Sequence, residues 1–183
     1  MRTNPLNVPR AAYQLPIGNV LIVETDNHRV IEVDRDRQII WQYGTSGAIG
    51  SGDNQLNFPR AAFPLPNGNV LVGDTNNRRV ITVNRDRQII WQYGMSGAIG
   101  SGDNQLNFPR AAFPLPNGNV LIVDTNNHRV IEVGQERLIL WQIVTSRESA
   151  TGDERLSLPL WAFPRPIGNR LCADTINRRG LQR

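Results

Sequence analysis

Asp74-Thr75-Asn76-Asn77-Arg78-Arg79 places a carboxylate, a hydroxyl, amides and a guanidinium within six residues, and this set recurs along the chain. Its relatives are Glu24-Thr25-Asp26-Asn27-His28-Arg29, Asp124 to Arg129 and Asp174 to Arg179. A carboxylate five residues before an Arg on a hairpin can accept hydrogen bonds from the turn backbone and from that Arg, which satisfies polar groups that packing would otherwise strand. Recurrence points to structure, so Glu24, Asp74, Asp124 and Asp174 with Arg29, Arg79, Arg129 and Arg179 read as turn-fixing pairs. Within the same turns, Asn27, His28, Asn77, Arg78, Asn127 and His128 are candidate ligand-binding residues, because loops carried on a rigid scaffold are where recognition concentrates.

Arg10, Arg60 and Arg110 each follow a proline and form a second repeated set. Two readings compete: a basic ring that binds an anion, or salt bridges between neighbouring units to the repeated carboxylates. Asp53-Asn54 and Asp103-Asn104 lack the alternating ligand spacing of a calcium loop and read as solvated turns. Neither histidine has a marked Ser or Cys nucleophile beside it, so no catalytic triad is legible. No catalytic residue, metal ligand or cofactor site is expected.

These residues must be held by a repeated unit. Residues 46–71 recur letter for letter as 96–121, a period of 50 that indicates recent duplication and falls at the long end of repeat architectures. The units run over about 1–50, 51–100, 101–150 and an incomplete 151–183, read together as one domain. Within the second, Phe58–Phe63 reads as a first strand, Pro66-Asn67-Gly68 as a turn and Asn69–Asp74 as a buried second strand. Arg79–Val83 and Gln88–Tyr93 follow as the third and fourth, with Ile89, Trp91 and Tyr93 on one face toward the next unit. Four antiparallel strands and a Gly-rich connection per unit predict an all-β fold of β-propeller blades, about 3.7 per chain. Strand direction puts the second-to-third turns on the same side as the long connections 45–55 and 95–105.

LNFPRAAFPLPNGNVLVGDTNNRRVITVNRDRQIIWQYG resembles the NHL-type β-propeller repeat, through its Pro-x-x-Ala entry, Asp-x-x-Asn-x-Arg hairpin and closing aromatic-Gly. It also looks like related bacterial propeller repeats ending in WQYG. The resemblance implies a propeller scaffold with a functional face. Among its relatives are RNA-binding, protein-binding and enzymatic members, including lactonase-like hydrolases that hold a channel metal on singular acidic and Asn residues. Here the acidic residues recur equivalently instead.

Composition narrows the partners. The 183 residues carry a net charge of +4, and all 20 basic residues are Arg. This suits anionic partners, or reflects base composition together with structural pairs. The single cysteine, Cys172, excludes an intrachain disulfide and a CxxC site and reads as a small core residue. Neither a leader h-region nor a membrane-length apolar stretch is present, so no membrane partner and a cytoplasmic setting are expected. Nucleic acid is disfavoured because the aromatics read as buried.

The fourth unit lacks a counterpart of IIWQYG, and Trp161, Arg165 and Arg170 depart from the repeat pattern. An arc with an open apolar blade face favours association, so a homodimer closing a ring is expected, with a four-bladed monomer as its rival. The leading functional reading is a non-enzymatic binding scaffold. Its alternatives are a lactonase-like metal-dependent hydrolase and anion or nucleic-acid binding through the repeated Arg.

Overall fold

The computed structural model describes residues 6–144, 159–164, 170–174 and 179–182. Three four-stranded antiparallel sheets follow one another in chain order. They are β1 (Pro9–Gln14) to β2 (Val20–Glu24), β3 (Arg29–Val33) and β4 (Ile39–Tyr43); β5 (Ala61–Pro64) to β6 (Val70–Asp74), β7 (Arg79–Val83) and β8 (Ile89–Tyr93); and β9 (Pro109–Pro114) to β10 (Val120–Asp124), β11 (Arg129–Val133) and β12 (Ile139–Val144). A three-stranded sheet of β13 (Pro159–Pro164), β14 (Arg170–Asp174) and β15 (Arg179–Gln182) comes fourth.

Local chemistry explains the strand ends. The turn after β5 closes by Gly68 N–H donating to the Leu65 carbonyl at 2.9 Å, with Gly68 at φ +85°, a conformation that costs glycine little. Between β7 and β8, Asn84 Oδ1 accepts the Gln88 amide at 2.8 Å and ends the pairing. The tight turn from β6 to β7 is a short 3-10 segment, Thr75–Asn77, that ends with Arg78 in the left-handed region.

Both faces of the inner strands are covered. On one face of the second sheet, Ala62, Val70, Val72, Ile81 and Val83 pack against Leu21, Val23, Val30, Trp41 and Tyr43 of the first. On its other face, Leu71, Val80, Trp91 and Tyr93 meet Ala112, Val120, Ile122, Ile131 and Val133 of the third. Each fully buried aliphatic or aromatic side chain contributes roughly 1.5–3 kcal/mol, so stacking of the sheets is the main source of cohesion. Trp41 Nε1 donates to the Arg85 carbonyl at 3.0 Å and Trp91 Nε1 to that of Gln135 at 3.1 Å, tying each outer strand to the next sheet. Toward the opposite end, the Thr25, Thr75 and Thr125 hydroxyls donate to the Pro59, Pro109 and Pro159 carbonyls, each at 2.8 Å.

The repeated carboxylates lie at the centre of a buried network. Asp74 accepts from Arg79 Nε, Asn77 Nδ2 and the Asn57 backbone amide, each at 2.8 Å. Arg79 in turn donates to the Ser51 and Gln55 carbonyls, at 2.9 and 3.2 Å, and Asn77 to that of Gly50 at 2.6 Å. One carboxylate therefore fastens the Gly-rich connection onto the hairpin it precedes. Asp124 repeats the set with Arg129, Asn127 and Asn107, and Glu24 does so with Arg29, Asn27 and Asn7. Asp174 and Arg179 pair in backbone register, but their side chains lie outside the described residues, as do those of Trp161, Arg165, Arg170 and Cys172. Burial pushes the Asp74 carboxyl above its ordinary value, and the Arg79 charge with the Asn57 and Asn77 hydrogen bonds opposes it.

Two expectations follow. Asp74→Ala leaves Arg79 buried without its counter-charge and loses roughly 3–5 kcal/mol in urea unfolding; an unchanged midpoint contradicts the network's role. His28 Nδ1 accepts the Phe58 amide at 3.2 Å across the first junction, and burial lowers its pKa below the ordinary 6.5, with Asp26 opposing. The folded state binds this proton less readily than the unfolded chain, so the stabilisation is complete above 6.5 and fades as pH falls through the folded value. Stability compared between roughly pH 7.5 and pH 5 should therefore fall less in His28→Arg, which carries the residue of the second unit, than in the parent.

Candidate functional site

The antiparallel order sends the second-to-third turns and the long connections to the same end, and the structure brings them into contact there. Gly47 N–H donates to the Asn27 carbonyl at 3.2 Å, and Asn77 reaches Gly50. Within the connections, Asn54 and Asn104 accept the Gly44 and Gly94 amides at 2.9 and 2.7 Å, so these side chains shape the loop. A Cβ on Gly94 would run into the Arg78 carbonyl, which explains the glycine that closes the WQYG segment. Asp53 and Asp103 are exposed. Among the described residues, no three His, Cys, Asp or Glu side chains group as a metal site.

Several candidate binding residues serve the interior. Asn27, Asn77 and Asn127 donate their amides to Glu24, Asp74 and Asp124 at 2.8, 2.8 and 2.6 Å. His28 is buried with its Nδ1 engaged, so it offers this mouth little surface. Arg78 and His128 are partly exposed in left-handed backbone at the turn ends. Period and residue type marked these positions, but only packing separates the amides turned inward from groups left at the surface.

The innermost strands β1, β5, β9 and β13 neighbour one another around the axis. There Tyr13 and Phe63 have ring centroids 5.0 Å apart, and Phe63 and Phe113 6.5 Å. Burial pushes the Tyr13 hydroxyl pKa up.

On the loop side of this ladder stand Arg10, Arg60 and Arg110. The Arg60 guanidinium is 5.0 Å and that of Arg110 5.6 Å from the centroid of the same ring, Phe108. Phe108 precedes a proline yet has φ +61°, a conformation that costs a non-glycine residue roughly 1–2 kcal/mol and that holds its ring at the cluster. Both Arg60 and Arg110 have a buried Nε without an acceptor. Burial lowers the Arg60 pKa, the Arg110 and Arg10 charges lower it further, and Asp26 alone opposes them.

The salt-bridge reading of these arginines needs correction. Among the described residues the repeated carboxylates pair with Arg29, Arg79 and Arg129 instead, because the hairpin register sets each carboxylate directly across from its own Arg. Sequence reasoning also missed Phe108, whose counterpart Phe58 in the second unit reads only as the start of a strand. A signal was present in the turns: Asp26 is replaced by Asn76 and Asn126 in the next two units.

The other end holds a cavity of about 1040 Å³. Leu15, Phe63, Leu65, Trp91 and Leu115 supply apolar wall, and the prolines of three first-to-second turns form its rim. At the first junction Arg85 lies 5.2 Å from the centroid of Trp41 and pairs with Glu32. The corresponding residues of the second junction, Thr82 and Gln135, form no such ion pair, and both line the cavity. Equivalent repeats thus give non-equivalent boundaries.

No protein-family model matches the sequence, and no curated protein does. Among solved structures, a streptogramin B lyase aligns at TM-score 0.67 and 10% identity, over 99% of this chain and 56% of its own. Virginiamycin B lyase from Staphylococcus aureus, with quinupristin, gives 0.65 and 10%, over 100% and 57%. The WD40 β-propeller domain of Doa1 gives 0.70 and 11%, over 96% and 50%. This chain therefore spans about half the length of those it matches, and likeness at such identities speaks for the fold alone. Radially stacked four-stranded sheets and these neighbours together make the chain a β-propeller repeat protein.

Proposed function

We propose that the chain is a non-enzymatic binding scaffold whose recognition surface is the loop-bearing mouth of its axis. The observation that carries this reading is the division of labour among repeated polar groups. Each Asp–Asn–Arg network is buried and internally satisfied in the second and third units, whereas Arg60 and Arg110 converge at the mouth with no salt-bridge partner among the described residues and each with a buried Nε that has no acceptor. Interior groups that already have partners hold the loops, and the loops surround the groups that do not.

A thermal-shift screen of a metabolite and peptide library, with hits mapped by backbone amide NMR, tests the location. Shifts confined to residues 45–58, 95–108 and the turns 75–78 and 125–128 are expected. A second reading, uptake of an apolar small molecule, is favoured by the opposite cavity, whose size is that of a drug-sized pocket. Hits that instead move Leu65, Trp91 and Leu115 support it and overturn the first.

The scaffold also self-assembles on this reading. Ala62, Val70, Val72 and Val83 are between 0 and 2% exposed beneath the preceding sheet. Their counterparts on the first sheet stand open, with Ala12 exposed and Val20, Ile22 and Val33 partly so. The natural cover is a sheet of the same repeat, supplied by a second copy joined head to tail. Light scattering should give twice the chain mass of 20.5 kDa; a mass of one chain, or one that grows with concentration, overturns a closed dimer.

A further inference from the structure

We propose that Arg60 and Arg110, clamped on Phe108 with Arg10 at their rim, form an oxyanion site that takes the phosphate or carboxylate group of a small molecule. This inference rests on the loop-mouth reading and gives its ligand a chemical class. Its basis is charge that the fold concentrates and, among the described residues, leaves without a salt bridge. Two guanidiniums share the ring of Phe108 at 5.0 and 5.6 Å, and each keeps a buried Nε without an acceptor. Burying a donor without a partner costs roughly 1–3 kcal/mol, and like charges repel, so the cluster is strained until an anion enters. A planar guanidinium offers paired donors to two oxygens of a phosphate or carboxylate. Contact with the Phe108 ring holds both guanidiniums at the site in advance and lowers the ordering entropy lost on binding.

The repeats themselves indicate where the site is open. Asp26, in the first second-to-third turn, acts electrostatically on Arg60 of the following unit. By the 50-residue period, the position related in the same way to Arg110 is Asn76, which carries no charge. Asn126 repeats the neutral choice, and Leu160 replaces the arginine in the last unit. Asp26 thus offsets part of the positive charge beside Arg60, and the corresponding position beside Arg110 is neutral. Arg85 is another exposed cation, but it is already committed to Glu32.

The chain supplies its own test substitutions. Asn76→Asp installs the residue of the first turn, and Arg110→Leu installs that of the fourth unit, so the repeat already accommodates both side chains. Isothermal titration with inorganic pyrophosphate and with citrate should show binding to the intact chain. Each substitution should weaken it roughly tenfold or more, with the melting temperature held, and added salt should weaken it as well. Absence of binding by either probe, or binding that ignores both substitutions, overturns the site. Binding only by a single-stranded oligonucleotide, with a steep salt dependence, also overturns it in favour of nucleic acid. Should library hits map to the loop mouth while both anions fail, the scaffold reading survives and only the ligand class falls.

Discussion

A buried carboxylate, fixed by the Arg five residues after it, is the interaction on which the rest of this propeller depends. Asp74 and Asp124 each gather an Arg, an Asn and the backbone amide of the incoming connection around one side chain that is 0% exposed. Such a group is tolerated inside only because hydrogen bonds surround it. Through Arg79 and Arg129 the same charge holds the carbonyls of Ser51, Gln55, Ser101 and Gln105, so the Gly-rich connections derive their shape from the hairpins they precede. The loop mouth follows from this anchoring.

Sheet stacking supplies the cohesion, and the ends of the stack diverge in chemistry. Tyr13, Phe63 and Phe113 form an aromatic ladder along the axis. Arginines meet on the loop side of it, whereas prolines, Leu65, Trp91 and Leu115 line the cavity on the other. The difference follows from strand direction: residues at the start of an innermost strand face one end and the turn that terminates it faces the other. One repeat therefore writes two distinct surfaces.

Much of the architecture was legible because the repeat is long, nearly exact and punctuated. The strand at Arg79–Val83 lies where β-branched residues placed it, and those beginning at Val70 and Ile89 start one residue later than the pattern suggested. Trp91 and Tyr93 pack toward the following sheet, as their alternation implied, whereas Ile89, expected on the same face, packs in the cluster shared with the preceding sheet because the pairing of β7 with β8 shifts register between Thr82 and Val83. The site was less legible. Asn27, Asn77 and Asn127 have the residue type of ligand-binding groups, yet their amides are used by carboxylates three residues earlier.

The sequence by itself determined the repeat, the antiparallel strand order and the end at which the loops gather, since these depend on local turn chemistry and on the two-residue alternation of strands. Tertiary structure decided which polar groups remain available. Arg79 and Arg110 are the same residue type on neighbouring repeats, but hairpin register sets Arg79 across from Asp74, and convergence at the axis brings Arg110 to Phe108 and Arg60 instead. Whether a charge is neutralised depends on what lies within a few ångströms of it, and that distance is set by the packing of sheets far apart along the chain.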